Sequence, residues 1–173
     1  MATPILTDAP PTITPAPRRG RAPSPERRAR EDRLIARAFR VLEQRAEYER
    51  PQMTYFTASR FFVARLGSST RELFDVGFLD SRHRLLRAET LFAGGIDGCQ
   101  VSTRIIVQRA LELNAAAVIV SHNHPSGDPS PSDADKHLTK QIKSALALVD
   151  VSLLDHIIVG GVKHFSFELQ GLL

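Results

Sequence analysis

The chain has 173 residues, of which 42% are hydrophobic, and this length suits one domain of ordinary size. Its single cysteine, Cys99, excludes an internal disulfide framework and a cysteine-clustered zinc site, and it favours a reducing, cytoplasmic location. The N-terminus lacks the apolar segment of a secretory signal, and no run of about eighteen apolar residues is present, so we expect no membrane span.

The net charge of +4 is concentrated near the N-terminus. Residues 1–50 contain 11 arginines and 7 acidic residues, whereas residues 51–173 contain 12 basic and 12 acidic residues. A domain with balanced charge offers no clear electrostatic surface for phosphates. Any contact with nucleic acid is therefore expected from the N-terminal tail. The competing interpretation is that the tail is a solvated extension without a partner.

The N-terminal segment is rich in proline and arginine. Residues 1–30 hold 7 of the 11 prolines without any period, and we predict that this Arg/Pro-rich tail is disordered. Apolar residues then recur at helical spacing, which predicts an amphipathic helix over residues 32–48 within a helix-and-linker segment, 31–54. The folded domain is expected over residues 55–173.

The remaining pattern predicts an α/β domain with a mixed sheet. A short helix is expected between Thr57, its N-cap, and Gly67, which follows its last residue. Apolar runs and turn residues then predict strands and helices in the order ββαβαββ. The predicted ranges are 58–66, 103–113 and 132–149 for the helices, and 72–79, 85–92, 115–120, 151–159 and 164–168 for the strands.

The third predicted strand leads into the sequence HNHPSGDPSPSDAD. Because residues i and i+2 of a strand face the same side, His122 and His124 can converge on one point. The Gly and Pro residues that follow favour a tight reversal, after which Asp135 in the next helix could supply a third ligand. Two histidines, one carboxylate and a water form a four-coordinate catalytic zinc site.

Structural interpretations compete with this metal site. Ser132-x-x-Asp135 also has the form of a helix N-terminus, with Ser132 as the cap and Asp135 near the positive end of the helix dipole. Asp133 is a rival ligand to Asp135 if the loop is shorter. Asp155 and His156 lie in an apolar strand, where a core pair or a hydrogen bond to a ligand is favoured over direct ligation.

The complete spacing is more specific than its parts. His-x-His, seven residues and Ser-x-x-Asp occur without a gap and resemble the signature of the JAMM (JAB/MPN) metalloproteases. The flanking sequences LNAAAVIVSHNHPSGDPSPS, LLDHIIVG and SFELQGLL resemble the JAB domain of RadC-like proteins over residues 55–173. The resemblance implies a JAMM/MPN, cytidine-deaminase-like fold, in which helices flank a mixed sheet.

The resemblance also implies roles for individual residues. The implied Zn²⁺ ligands are two histidines and an aspartate: His122, His124 and Asp135. Ser132 would stabilise the tetrahedral oxyanion. An upstream glutamate would accept a proton from the zinc-bound water and pass it to the leaving amine. Glu72, which opens the run ELFDVGFL, fits this position best, and Glu89 is the alternative.

The predicted function is that of a zinc-dependent metallopeptidase or isopeptidase-type hydrolase acting on a peptide or a protein conjugate. The alternative is a non-catalytic JAMM-fold interaction module or DNA-repair accessory module. RadC-like proteins usually carry an N-terminal helix-hairpin-helix region that is expected to touch DNA. Residues 1–54 show no such hairpin, so DNA binding is not carried over from the resemblance.

Overall fold

The computed structural model describes residues 24–49, 52–94 and 100–173. Two helices precede the domain pattern, and the elements after them follow the predicted order. The helices are α1 (Pro25–Glu49), α2 (Tyr55–Leu66), α3 (Thr103–Glu112) and α4 (Asp133–Ala147). The strands are β1 (Leu73–Leu79), β2 (Leu85–Ala93), β3 (Ala117–Asn123), β4 (Ser152–Gly160) and β5 (Lys163–Ser166).

The five strands form one mixed sheet in the order β2-β1-β3-β4-β5. β1 pairs antiparallel with β2 and β3, β3 pairs parallel with β4, and β4 pairs antiparallel with β5. The parallel pair requires a crossover connection, which α4 provides. The prediction of an α/β domain with a mixed sheet flanked by helices is confirmed.

Helices cover both faces of the sheet. On the first, called the α2 face, α2 packs against Ile119 of β3 and Ile157 of β4. On the second, called the α4 face, α3 and α4 pack against Val118 and Val120 of β3. Because successive side chains of a strand alternate between faces, His122 continues the series of Val118 and Val120 and faces α4.

Helix α1 begins at Pro25, earlier than the predicted residue 32. The hydroxyl oxygen of Ser24 accepts a hydrogen bond from the N–H of Arg27 at 3.3 Å, and proline is favoured at the first position of a helix. The prediction of disorder for residues 1–30 is therefore wrong from Pro25 onward. The part of that tail before Ser24 lies outside the described residues.

The apolar stripe of α1 is only partly covered. Phe39 packs edge-to-face against Phe61 of α2, with ring centroids 6.5 Å apart. Leu34 and Ile35 of the same stripe are 58% and 42% exposed. The amphipathic pattern therefore predicted the helix but not a full set of partners for it. In the part of the chain that the structure describes, no helix is long and apolar enough to cross a membrane.

Two further boundaries differ from the predictions. Thr54, not Thr57, is the N-cap of α2, because its side chain accepts a hydrogen bond from the Thr57 N–H at 3.3 Å. Strand β3 runs to Asn123, beyond the predicted end at Val120, because β4 pairs with it along its whole length and β1 pairs with it as far as His122. Ser132 is the N-cap of α4, as the sequence predicted.

Candidate metal centre

Strand β3 carries two histidines to one edge of the sheet. His122 lies within the strand, and His124 follows its last residue. The backbone N–H of His124 donates to the carbonyl of Val159 at 2.8 Å, which continues the line of the strand. The two side chains therefore share the α4 face, and their Nε2 atoms lie 2.9 Å apart. The predicted convergence of the two histidines is confirmed.

Helix α4 supplies a carboxylate to the same place. Ser132 and Asp135 form a capping box, in which Ser132 Oγ accepts from the Asp135 N–H at 3.1 Å and Asp135 Oδ2 accepts from the Ser132 N–H at 2.8 Å. The carboxylate held in this way lies 3.2 Å from His122 Nε2 and 3.7 Å from His124 Nε2. The same capping box that starts α4 therefore also holds the Asp135 carboxylate near the two histidines.

The three side chains match a metal ion in size and chemistry. Ligand atoms about 2.0–2.2 Å from a tetrahedral ion lie about 3.3–3.6 Å from one another. The two Nε2 atoms lie 2.9 Å apart, Asp135 Oδ1 lies 3.2 Å from His122 Nε2 and Asp135 Oδ2 lies 3.7 Å from His124 Nε2, so one ligand atom from each residue lies within 4.8 Å of the others. Two imidazoles and one carboxylate are also a ligand set that suits zinc. His122, His124 and Asp135 could therefore hold a metal ion.

Hydrogen bonds at the remote nitrogens of the two histidines orient their rings. His124 Nδ1 lies 2.8 Å from the carbonyl oxygen of Asp128, which can only accept, so Nδ1 carries the proton and neutral His124 keeps its Nε2 lone pair. His122 Nδ1 lies 2.8 Å from Nε2 of His156. Burial, and secondarily the charge of His122, lowers the pKa of His156 well below its ordinary value.

The Asp135 carboxylate and the His124 ring affect each other's ionisation. Burial opposes ionisation of Asp135, but hydrogen bonds from His122, His124 and Ser132 outweigh it and bring the pKa of Asp135 well below its usual range. The hydrogen bond to Asp135 raises the pKa of His124, against the burial of its ring, and the charge of Glu72 acts in the same direction. A proton and a metal ion would therefore compete for His124.

Glu72 lies beside this centre, immediately before β1. The antiparallel register pairs Phe74 with His122, and its continuation places Glu72 opposite His124. Glu72 lines the same pocket as the three candidate ligands and Ser132. Within the described ranges, the Glu72 carboxylate has no hydrogen-bond or ion-pair partner. Its carboxylate is therefore available to exchange a proton.

Asn123, which the sequence interpretation missed, fixes the backbone on both sides of Glu72. Its side chain points to the face opposite His122, where Oδ1 accepts from the Leu73 N–H at 2.9 Å and Nδ2 donates to the Arg71 carbonyl at 2.9 Å. The middle residue of His-Asn-His therefore ties the glutamate to the strand that carries the histidines. The available sequence signal was a polar residue between two candidate ligands, but the hydrogen-bond partners of Asn123 are visible only in the fold.

The rival residues lie away from the pocket lining. Glu89 accepts two hydrogen bonds from the Arg109 guanidinium, at 2.7 and 2.8 Å, and these lower the pKa of Glu89. The Asp133 side chain is 98% exposed and pairs with Lys136 at 2.9 Å. Cys99 lies outside the described residues.

The loop between β3 and α4 is packed closely on Gly160, the last residue of β4. A Cβ atom at Gly160 would lie 2.5 Å from the Gly127 carbonyl oxygen and 2.9 Å from Pro129 Cδ. Only a residue without a side chain permits this approach. The packing holds the loop where the Asp128 carbonyl reaches His124.

Comparisons with known proteins match this domain to one family. The model of the RadC-like JAB domain matches residues 54–172. A UPF0758 protein of Nitrosococcus oceani is 54% identical over 117 residues, which is 68% of this chain and 52% of the relative. A UPF0758 protein of Vibrio cholerae is 44% identical over 148 residues, 84% of this chain and 92% of the relative. The chain spans about half the length of several curated relatives, whose names state neither a substrate nor a reaction.

Proposed function

The chain belongs to the RadC-like JAB domain family, a JAB/MPN-type domain, and we propose that it is a zinc-dependent hydrolase of metallopeptidase or isopeptidase type. The observation that carries the proposal is the convergence of His122 Nε2, His124 Nε2 and the Asp135 carboxylate beside Glu72. Three protein ligands leave the fourth position of a tetrahedral zinc ion open, which is the pattern of a catalytic rather than a structural site.

Glu72 acts as the general base and then as the general acid. His122, His124 and Asp135 would hold the zinc ion, which would supply a Lewis acid that lowers the pKa of water to about 7 and polarises a carbonyl group. Glu72 accepts a proton from the attacking water and returns it to the leaving amine. Because Glu72 has no cationic partner among the described residues, the proton transfer does not require an ion pair to break.

Ser132 stabilises the oxyanion that forms when the amide carbonyl is attacked. Its hydroxyl donates to Asp135 Oδ2 at 2.6 Å, and its backbone N–H donates to the same oxygen at 2.8 Å. The backbone donor therefore keeps the carboxylate in place when the hydroxyl turns toward the substrate. In other enzymes, removal of one oxyanion donor lowers the rate about 10²–10³-fold.

The proposed substrate is an amide bond in a peptide or a protein conjugate. The pocket around the candidate ligands carries polar side chains that can hydrogen-bond an extended chain: Gln100, His137 and Gln141. Phe74 and Leu138 supply apolar surface in the same pocket. The described residues provide no observation that favours a non-catalytic module over a hydrolase, and the basic excess of the sequence lies in residues 1–50, before the domain.

Zinc content and zinc-dependent hydrolysis test the proposal. Wild-type protein from metal-replete medium should contain about one zinc per chain, as a mononuclear site requires. His122→Ala should contain almost none, whereas His137→Ala should retain zinc, because His137 lines the pocket without belonging to the ligand set. Chelation should abolish hydrolysis of peptide or isopeptide substrates, and added zinc should restore it. Equally negligible zinc in wild type and His122→Ala would overturn the proposal.

A further inference from the structure

Behind the candidate ligands lies a buried histidine that is not one of them. His156, in β4, is completely buried and has a partner at each ring nitrogen. Its Nε2 lies 2.8 Å from His122 Nδ1, and its Nδ1 lies 2.6 Å from Thr139 Oγ1 of α4. His156 therefore connects the strand that carries one ligand with the helix that carries another.

The direction of the hydrogen bonds along this connection follows from the Thr139 hydroxyl. Thr139 Oγ1 lies 2.6 Å from the backbone carbonyl oxygen of Asp135, which can only accept. A hydroxyl has a single proton, so the Thr139 oxygen accepts from His156, and the proton of His156 lies on Nδ1. A buried imidazole without a carboxylate partner is neutral, which leaves His156 Nε2 as an acceptor.

The same reasoning sets the proton of His122. Because His156 Nε2 accepts, the hydrogen bond of 2.8 Å is donated by His122 Nδ1. Neutral His122 then has a lone pair at Nε2, the atom that faces His124 and Asp135. The reverse order of donors would place a proton on His122 Nε2 and block ligation.

Aromatic rings shield the hydrogen bonds of His122 and His156 from other acceptors. Phe74 stacks on His122, with centroids 6.1 Å apart and an interplanar angle of 8°, and Phe167 stacks on His156 at 4.9 Å and 15°. Both phenylalanines are buried, so a solvent molecule has little access to replace His156 as the acceptor. His124 differs in this respect, because its acceptor is a carbonyl on an exposed loop.

We propose that His156 is a positioning residue of the metal centre, which holds His122 in the Nδ1–H form and aims its Nε2 at the other ligands. This inference rests on the proposed function, because only a zinc-binding centre gives His122 a metal ion to bind. Metal-ligating histidines commonly donate their second N–H to a carboxylate or a carbonyl, and loss of such a partner lowers metal affinity about 10–100-fold. Here the partner is a second histidine, whose own proton is placed by Thr139.

Zinc affinity of matched variants tests the first part of the inference. His156→Phe retains a ring but cannot accept a hydrogen bond, and it should weaken zinc binding about 10–100-fold in a competition assay with a chelator. His156→Gln, whose amide oxygen can accept from His122, should recover most of the affinity. Thr139→Val, which preserves side-chain shape, should also weaken binding, because His156 loses the acceptor for its Nδ1 proton. His164→Phe, at the exposed strand β5, is the control and should bind zinc like wild type.

The tautomer itself gives a readout that needs no metal and no activity. Long-range ¹H–¹⁵N spectra of chelator-treated wild type should show His122 and His156 protonated at Nδ1, and Thr139→Val should alter this pattern. Absence of a proton on His122 Nδ1, or a proton on His156 Nε2 in place of Nδ1, would overturn the inference, as would unchanged zinc affinity in folded His156→Phe. If His156→Phe does not fold, Thr139→Val and the wild-type spectrum decide the question. A wild type that binds no zinc would instead overturn the proposed function.

Discussion

The buried carboxylates on the two faces of the sheet have different neighbours. On the α2 face, Asp75 of β1 accepts from Arg65 Nε at 2.7 Å and from the Thr90 hydroxyl. Asp155, which pairs in register with Ile119 on that face, accepts from the Ser166 hydroxyl at 2.7 Å. Each of these carboxylates therefore obtains its donors from the protein.

On the α4 face, by contrast, acceptor atoms converge. Nε2 of His122, Nε2 of His124 and the Asp135 carboxylate all point to one small volume. No lysine or arginine is among the described residues that line the pocket. Lone pairs this close repel each other unless a cation or a proton lies between them. Asp135 also accepts hydrogen bonds from Ser132, but unlike Asp75 and Asp155 its carboxylate shares a small volume with two imidazole nitrogens, and this set could hold an ion from solution.

The largest effect should come from a substitution on the α4 face, and it should change rate rather than stability. Glu72→Gln keeps the shape of the side chain but removes the proton acceptor, so kcat for a peptide amide should fall about 10²–10⁴-fold with zinc content retained. Glu89→Gln is the matched control, since Glu89 pairs with Arg109 outside the pocket lining and should affect rate little. An equal loss of kcat in the two variants would contradict the assignment of Glu72, and not Glu89, as the general base.

On the α2 face, the corresponding substitution should change stability and leave the metal centre intact. Asp75→Ala removes the buried acceptor shared by Arg65 and Thr90. Breaking a buried ion pair in this way should lower the free energy of unfolding by about 3–5 kcal/mol, measured by urea denaturation. Zinc content of the folded variant should match wild type. A folded Asp75→Ala protein that had lost its zinc would show that the two faces are not independent.

The smallest effect concerns pH and Asp155. Burial raises the pKa of Asp155, although hydrogen bonds from Ser166 and the Glu168 N–H oppose it. The folded state therefore holds this proton more tightly than the unfolded chain, so the resulting stability is complete below the unfolded pKa and is lost as pH rises through the folded pKa. Asp155→Asn should flatten this decline in the free energy of unfolding as pH rises above about 4. A decline as steep as that of wild type would assign the pH dependence to other groups.

Local patterns accounted for the features that the sequence predicted correctly. His122 and His124 share a face because side chains alternate along a strand, and Ser132 starts α4 because a capping residue acts within one turn. The end of β3 was missed because its last residues are paired by distant strands. The start of α1 was missed because the Ser24-Pro25 signal lies within a proline-rich composition that favours disorder.

Apolar periodicity along the chain indicated the α/β class, and the spacing of the His-x-His and Ser-x-x-Asp motif carried the resemblance that implied the family and the candidate ligands His122, His124 and Asp135. The folded structure was needed to show that Glu72 lies in the pocket while Glu89 pairs with Arg109, and that Asn123 and His156 contact the centre's residues from opposite faces of the sheet. These contacts join residues far apart in the chain. They depend on the register of neighbouring strands and on the packing of α4 against the sheet, which no local pattern specifies.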